Sequence, residues 1–336
     1  SALDWIQRGL ASGIHLGVDV SDRIVGSNGS LLKVSFHDEE PDWQKLESLL
    51  SQSAARRSGP VGGDGTWPIP QSALRRGPVC LPEVDPAEIV QYYKRLGDLN
   101  ISPDEAIYPL GSCTMKYNPV INEWSAGLDG FLRVHPQAPF ESVQGCLEVL
   151  YETQEWFKGI TGLAGVTTQP VAGAQGELVG LKLIQAYHEH NGQGHRDVVF
   201  LPQTAHGTNF ASATVAGYVA GRGGRPDAGI VVLKTDRTGG VDMADFADKM
   251  DRFGDRLAAV MITNPNTCGI FESHFREIAD RVHAAGGLVY MDGANMNAIA
   301  GWVNLAALGV DAVHNNLHKT WSIPHGGGGP GDGMVA

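Results

Sequence analysis

The chain has 336 residues, 42% hydrophobic and 18% charged, long enough for one large α/β domain and a smaller unit. Its 25 Lys and Arg against 37 Asp and Glu give a net charge of −12, with no basic run and no basic patch interleaved with aromatics, which argues against a nucleic-acid partner. Cys80, Cys113, Cys146 and Cys268 are scattered without metal-site or disulfide-framework spacing, no stretch approaches the roughly 18 apolar residues of a membrane span, and the start at Ser1 lacks signal-peptide zones.

Residues 1–57 read as a small α+β unit. It comprises a helical stretch from Leu3 to Leu10, a strand from Leu31 to Phe36, and a helix from about Pro41 to Gln52 with Trp43, Leu46, Leu49 and Leu50 on one face. Such a piece is too small to bury an adequate core by itself. Residues 58–75 begin with SGPVGGDG, carry Pro68 and Pro70, and read as a linker. The remainder, 76–336, alternates strand-like runs with helical patterns. The strands are expected at Val198 to Leu201, Ile230 to Leu233, Ala258 to Ile262 and Leu288 to Met291; helices are expected from Glu177 to His190 and Phe275 to Ala285. Short buried strands separated by helices specify a mostly parallel sheet covered on both faces.

Chemistry-bearing groups cluster at the ends of these elements. The loop YPLGSCTMKYNP, from Tyr108 to Pro119, concentrates hydroxyl, thiol and cationic groups, including Ser112 and Cys113, that could close over a small carboxylate substrate. PVAGAQGE, with Ala174 and Gln175, opens a long helix, where small residues and free N–H groups suit a phosphate. Taken alone this is weak, because Gly-rich helix starts are common. His206 in AHGTN follows a strand, where ligands of open α/β sheets bind, and its imidazole could stack on an aromatic ring; a satisfied polar His is the alternative. Thr263 in TNPNT occupies the equivalent loop after the next strand, which reads either as hydrogen-bonding groups or as an Asn-Pro turn.

Asp292 ends the strand Leu288 to Met291, and a carboxylate buried there needs a cation or donors. About 27 residues later an apolar segment ends in Lys319, whose flanking Leu317, His318, Thr320 and Trp321 do not form a charged helix face. An acid to protonate a pyridine nitrogen and a lysine to hold an aldehyde as a Schiff base are the parts of a pyridoxal 5'-phosphate site. His318 could add a phosphate contact. The Gly326 to Gly329 run reads either as a flexible linker or as a loop that must pass close to something, its nearness to Lys319 favouring the second.

Together YPLGSCTMKYNP, PVAGAQGE, AHGTN, TNPNTCG, YMDGANMNA and NLHKTWSIPHGGGGPG, over about Leu81 to Gly333, closely resemble the catalytic second half of the glycine decarboxylase P-protein of the glycine cleavage system. The resemblance implies a PLP-dependent fold-type-I (aspartate-aminotransferase-like) large domain, with the cofactor on Lys319 and Asn295 among its contacts. It implies glycine as substrate, loss of its carboxylate as CO2, and transfer of the aminomethyl group to the lipoyl disulfide of a partner H-protein. A complementary P-protein half or subunit, a dimeric assembly, and a cytoplasmic or mitochondrial-matrix location follow from the same resemblance. Phe210 departs from the proline common after AHGTN. The chain begins without Met and stops shortly after the Gly run, where the family continues into a small C-terminal domain, so both ends are expected to be cuts and residues 1–57 to resemble the end of the first half. Another fold-type-I enzyme, such as a cysteine desulfurase or an aminotransferase, would share Asp292 and Lys319 but not the YPLGSCTMKYNP loop; a non-catalytic half should lack the lysine.

Overall fold

The computed structural model describes residues 18–19, 32–33, 71–78, 81–102, 106, 116–135, 137–323 and 331–336. The expected helices in the first 57 residues, most of the linker, Ser112, Cys113 and the Gly326 to Gly329 run lie outside them. By contact density the chain divides into two units, 1–100 with 128–144, and 101–127 with 145–336.

In the first unit, β1 (Val18–Asp19) and β2 (Leu32–Lys33) pair antiparallel, and β2 falls inside the expected strand. The helix Pro86–Gly97 has a well-specified start. The Asp85 carboxylate accepts the Ala87 N–H at 2.7 Å, and Pro86 occupies the first helical position, where its missing N–H loses no bond. Lys94 and Arg95 lie in the last turn, favourable to the helix dipole.

The second unit is built on a six-stranded sheet: β3 (Val198–Pro202), β4 (Gly229–Leu233), β5 (Leu257–Thr263), β6 (Leu288–Asp292), β7 (Ala312–Asn316) and β8 (Gly333–Val335), in the order β4-β3-β5-β6-β7-β8. All neighbours are parallel except β7 and β8. The four expected strands form within a residue of their expected bounds. The antiparallel β8, a Gly-containing three-residue strand after a glycine run, carried no strand signal.

The two faces of the sheet are buried by opposite residue parities. Val198, Phe200, Val260, Ile262, Val289 and Met291 face a core shared with the helices Met243–Phe253 and Phe275–Ala284. Val199, Leu201, Ala259, Met261 and Tyr290 face the helices Gly173–His190 and Gly207–Ala216. This is why these runs are continuously apolar rather than alternating: both sets of side chains leave water. Each fully buried Val, Leu or Phe contributes about 1.5–3 kcal/mol.

The parity that includes Tyr290 continues to Asp292, so that carboxylate faces the helix Gly173–His190. Register then sets its neighbours, since Thr263 pairs with Asp292 and Asp292 with His314. One row of the sheet, at the carboxyl ends of three strands, therefore carries hydroxyl, carboxylate and imidazole side by side. The helix lies close over this row because its contact face is glycine. A side chain at Gly176 would approach the Gly333 carbonyl oxygen at 2.8 Å, and one at Gly180 would enter the Tyr290 ring. Both glycines serve packing against the sheet; Gly176 belongs to PVAGAQGE, whose small residues suggest approach of an anion, whereas its own place is against β8 and His314. The helix also begins at Gly173, four residues before the expected start.

Candidate active site

Asp292 is 1% exposed, and its oxygens are held from several directions. Oδ1 accepts the Ala294 N–H at 2.9 Å and lies 3.2 Å from His314 Nε2. Oδ2 accepts from Asn209 Nδ2 at 2.8 Å and sits 3.3 Å from Thr263 Oγ1. The Thr263 hydroxyl has one proton, and its shorter contact, 2.9 Å, is to Asn209 Oδ1. Oδ2 thus retains acceptor capacity for a donor in the cavity that Asp292 lines. Burial by itself would push this carboxyl up. His314, the Asn209 amide, the Ala294 N–H and the Lys319 charge outweigh it and hold Asp292 below the usual carboxylate range.

The cavity brings together Ala174, His206, Asp292 and Lys319 with Glu177, Thr208, His314 and Asn316. Lys319 is on the one-turn helix Leu317–Thr320 that follows β7 directly, so the strand end sets where its amine reaches. Among the described residues its amine makes no hydrogen bond or ion pair; its interaction is the charge it places near Asp292. Ala172 occupies the N-cap of the helix Gly173–His190 without a side-chain acceptor, which leaves the first-turn N–H groups of Gly173, Ala174 and Gln175 for an anion. Two buried acceptors in the lining, Glu177 Oε2 and Asn316 Oδ1, have no hydrogen-bond partner among the described residues. A group with an anionic end, an aldehyde and a protonated ring nitrogen matches these donors and acceptors. The residues fit PLP.

His206 caps the helix Gly207–Ala216. Its Nδ1 accepts the Thr208 N–H at 3.3 Å and lies 2.7 Å from Thr208 Oγ1, whose hydroxyl is 2.6 Å from Glu177 Oε1. The ring is half-buried and tethered at one nitrogen. Thr263 acts from behind the cavity: its Oγ1 accepts the His206 N–H at 3.1 Å, so one hydroxyl positions both the His206 backbone and Asn209.

The other expected site residues take different places. The Gln175 side chain turns back so that Oε1 accepts the Val171 N–H at 2.6 Å. Asn295 donates to the Pro265 carbonyl at 3.0 Å and lines a neighbouring cavity with Lys116, Asn266 and Thr267. His318 is buried against Gly331, where an added side chain would meet its ring.

Sequence reading missed His314, Glu177 and Asn209. His314 sits inside a strand run without a motif. Glu177 and Asn209 lay within quoted motifs, but only the sheet register and the crossing of two helices reveal that they meet at Asp292. Glu177, Asp292 and His314 each place one ligand-type atom within 4.8 Å of the others. Glu177 Oε1, both Asp292 oxygens and His314 Nδ1 are engaged with Thr208, Ala294, Asn209 and Tyr290, so these atoms form a hydrogen-bonded network.

No family model matches the chain. It is 50% identical over 267 residues to a probable glycine dehydrogenase (decarboxylating) subunit 2 of Chloroherpeton thalassium, a match covering 80% of this chain and 51% of that protein. The chain spans about half the length of the curated relatives it matches. Among solved structures, glycine decarboxylase (P-protein) of the glycine cleavage system, in inhibitor-bound form, superposes with a TM-score of 0.62 at 21% identity, over 90% of this chain and 62% of that one. Oryza sativa TDC with PLP and tryptamine superposes with a TM-score of 0.53 at 16% identity, over 90% and 67%. The fold is that of the fold-type-I PLP enzymes.

Proposed function

We propose that this chain, which belongs to the family of glycine dehydrogenase (decarboxylating) subunit 2, holds pyridoxal 5'-phosphate on Lys319 and decarboxylates glycine, passing the aminomethyl group to the lipoyl group of a carrier H-protein. The observation that carries this reading is the convergence of Lys319, Asp292, His206 and an uncapped helix N-terminus on one cavity at the carboxyl edge of the sheet. Because the chain spans about half of its relatives, the proposal includes the remaining part of the enzyme, a complementary subunit and a dimeric assembly.

Bound in the cavity, PLP supplies an electron sink for the pair released when the bond between the glycine α-carbon and its carboxylate breaks. The chain's own groups supply position and charge. Lys319 tethers the cofactor and can hold or return a proton at Nζ. Asp292, kept ionised by its donors, stabilises positive charge at the ring nitrogen through Oδ2. His206 offers a ring face held by its Nδ1 contacts, and the amides of Gly173, Ala174 and Gln175 receive the phosphate. The loop with Ser112 and Cys113 is assigned to the substrate carboxylate. Holding the bond from the α-carbon to that carboxylate perpendicular to the ring, and excluding water, are the protein's contribution to rate.

Two measurements test this reading on the full chain supplemented with the rest of the enzyme. Borohydride reduction of the PLP-loaded protein should fix the pyridoxyl group on the peptide containing Lys319. Labelled bicarbonate should exchange into the carboxyl group of glycine when lipoylated carrier is added. Label on another lysine, or no exchange by a complete folded assembly that carries PLP, would refute it.

A further inference from the structure

His314 is 1% exposed and touches groups from every element packed around it. From the adjacent strand β6, Tyr290 places its hydroxyl 2.8 Å from Nδ1 and its ring against the imidazole, with centroids 5.9 Å apart and planes 27° from parallel. Two residues on, Asp292 Oδ1 is 3.2 Å from Nε2. From the helix above, Glu177 Oε1 is 4.0 Å from the same nitrogen. Lys319, one helical turn beyond β7, adds its charge at Asp292.

The proton positions follow from burial. Burial, together with the Asp292 and Glu177 charges, pushes the Tyr290 phenol well above its ordinary range, so it keeps its proton. That hydroxyl lies 3.4 Å from the Gly176 carbonyl oxygen and 2.8 Å from His314 Nδ1; donated over the shorter contact, its proton leaves the imidazole proton on Nε2, facing Asp292. A carboxylate turns about a broad, two-fold torsion, so its orientation is set by the donors it meets. Here the Ala294 N–H and His314 fix Oδ1, while Asn209 takes one position on Oδ2. What remains open on Oδ2 is the acceptor the ring nitrogen needs.

The geometry points to His314 as a positioning residue that fixes the orientation and charge of Asp292 toward the cofactor ring, with Tyr290 setting its tautomer. This inference rests on the reading that Asp292 meets the ring nitrogen. Removing the imidazole takes away one of the donors that keep the carboxylate ionised, and so weakens the proton held on the ring nitrogen. The pair acts through Asp292 alone and leaves the lysine tether and the phosphate contacts in place.

The test uses the full chain loaded with PLP labelled with 15N at the ring nitrogen, following that resonance against pH, with cofactor affinity and thermal unfolding measured in parallel. His314→Phe should lower the pH midpoint of ring-nitrogen protonation by about one unit, a tenfold change. His314→Gln, whose amide N–H can reach the same oxygen, should recover at least part of the loss, and Tyr290→Phe should shift the midpoint in the same direction by less. A folded His314→Phe protein with an unchanged midpoint overturns the inference. If that variant does not fold, an unchanged midpoint in Tyr290→Phe overturns it. Failure of the underlying reading gives a different result: Asp292→Asn leaves the midpoint where it was, or the wild-type ring nitrogen is unprotonated throughout.

Discussion

Replacing Asp292 by Asn keeps the shape of the side chain and removes its charge, which isolates what the charge does. The carboxylate accepts the Ala294 N–H at 2.9 Å and the Asn209 amide at 2.8 Å, and faces His314 Nε2 at 3.2 Å. Hydrogen bonds to a charged group are worth about 1.5–3 kcal/mol each, and an amide can reproduce only those that fall on its oxygen. Its NH2 must then oppose either Asn209 Nδ2 or the donors at Oδ1, leaving at least one buried donor without an acceptor. The cofactor-free chain should therefore lose about 2–4 kcal/mol at pH 7. The pH dependence has a definite sign. Because the folded carboxyl is held below its ordinary value, its stabilisation is complete above about pH 3.9, the unfolded carboxyl range, and is lost as pH falls through the folded value. The difference between wild type and Asp292→Asn, measured by urea unfolding at a series of pH values, should be largest near neutrality and shrink in acid. A variant as stable as wild type at pH 7, or a difference that does not depend on pH, would refute the account of Asp292 as a buried, multiply solvated anion.

Two further substitutions test neighbouring contacts. His206→Ala should weaken PLP retention by up to about tenfold, the value of a lost ring contact of roughly 0.5–1.5 kcal/mol. It should also cost about 0.5–2 kcal/mol of stability through loss of the helix cap, so equilibrium dialysis with PLP and a denaturant curve should both move; unchanged affinity would place His206 outside the cofactor's reach. Gly180→Ala pushes a methyl group into the Tyr290 ring and should destabilise the chain by about 1–3 kcal/mol by thermal melting; a neutral result would show that the helix can lift off the sheet without penalty.

Four strands between Val198 and Asp292 and the helix from Phe275 were legible in the order of residues, because burial of both sheet faces makes each of those strands a continuous apolar run bounded by loops; β7, with its polar AVHNN, was not. The sequence also singled out Asp292, Lys319, His206 and the glycine-rich helix start, which line one cavity because each lies at the end of an element where a parallel sheet gathers its loops. The remaining contacts depend on how distant elements pack. His314 meets Asp292 because β6 and β7 pair in one particular register, and a slip of one residue would turn that imidazole to the opposite face. Glu177 and Asn209 reach the same carboxylate network from two helices that cross over the sheet, one allowed close by Gly176 and Gly180. Gln175 turned to its own backbone for a comparable reason: the Val171 N–H needed an acceptor, and nothing in the order of residues shows which local donor will claim a side chain. Local patterning places a residue along its element, whereas the partners of a buried charge come from elements far apart in the chain and are fixed only when those elements pack.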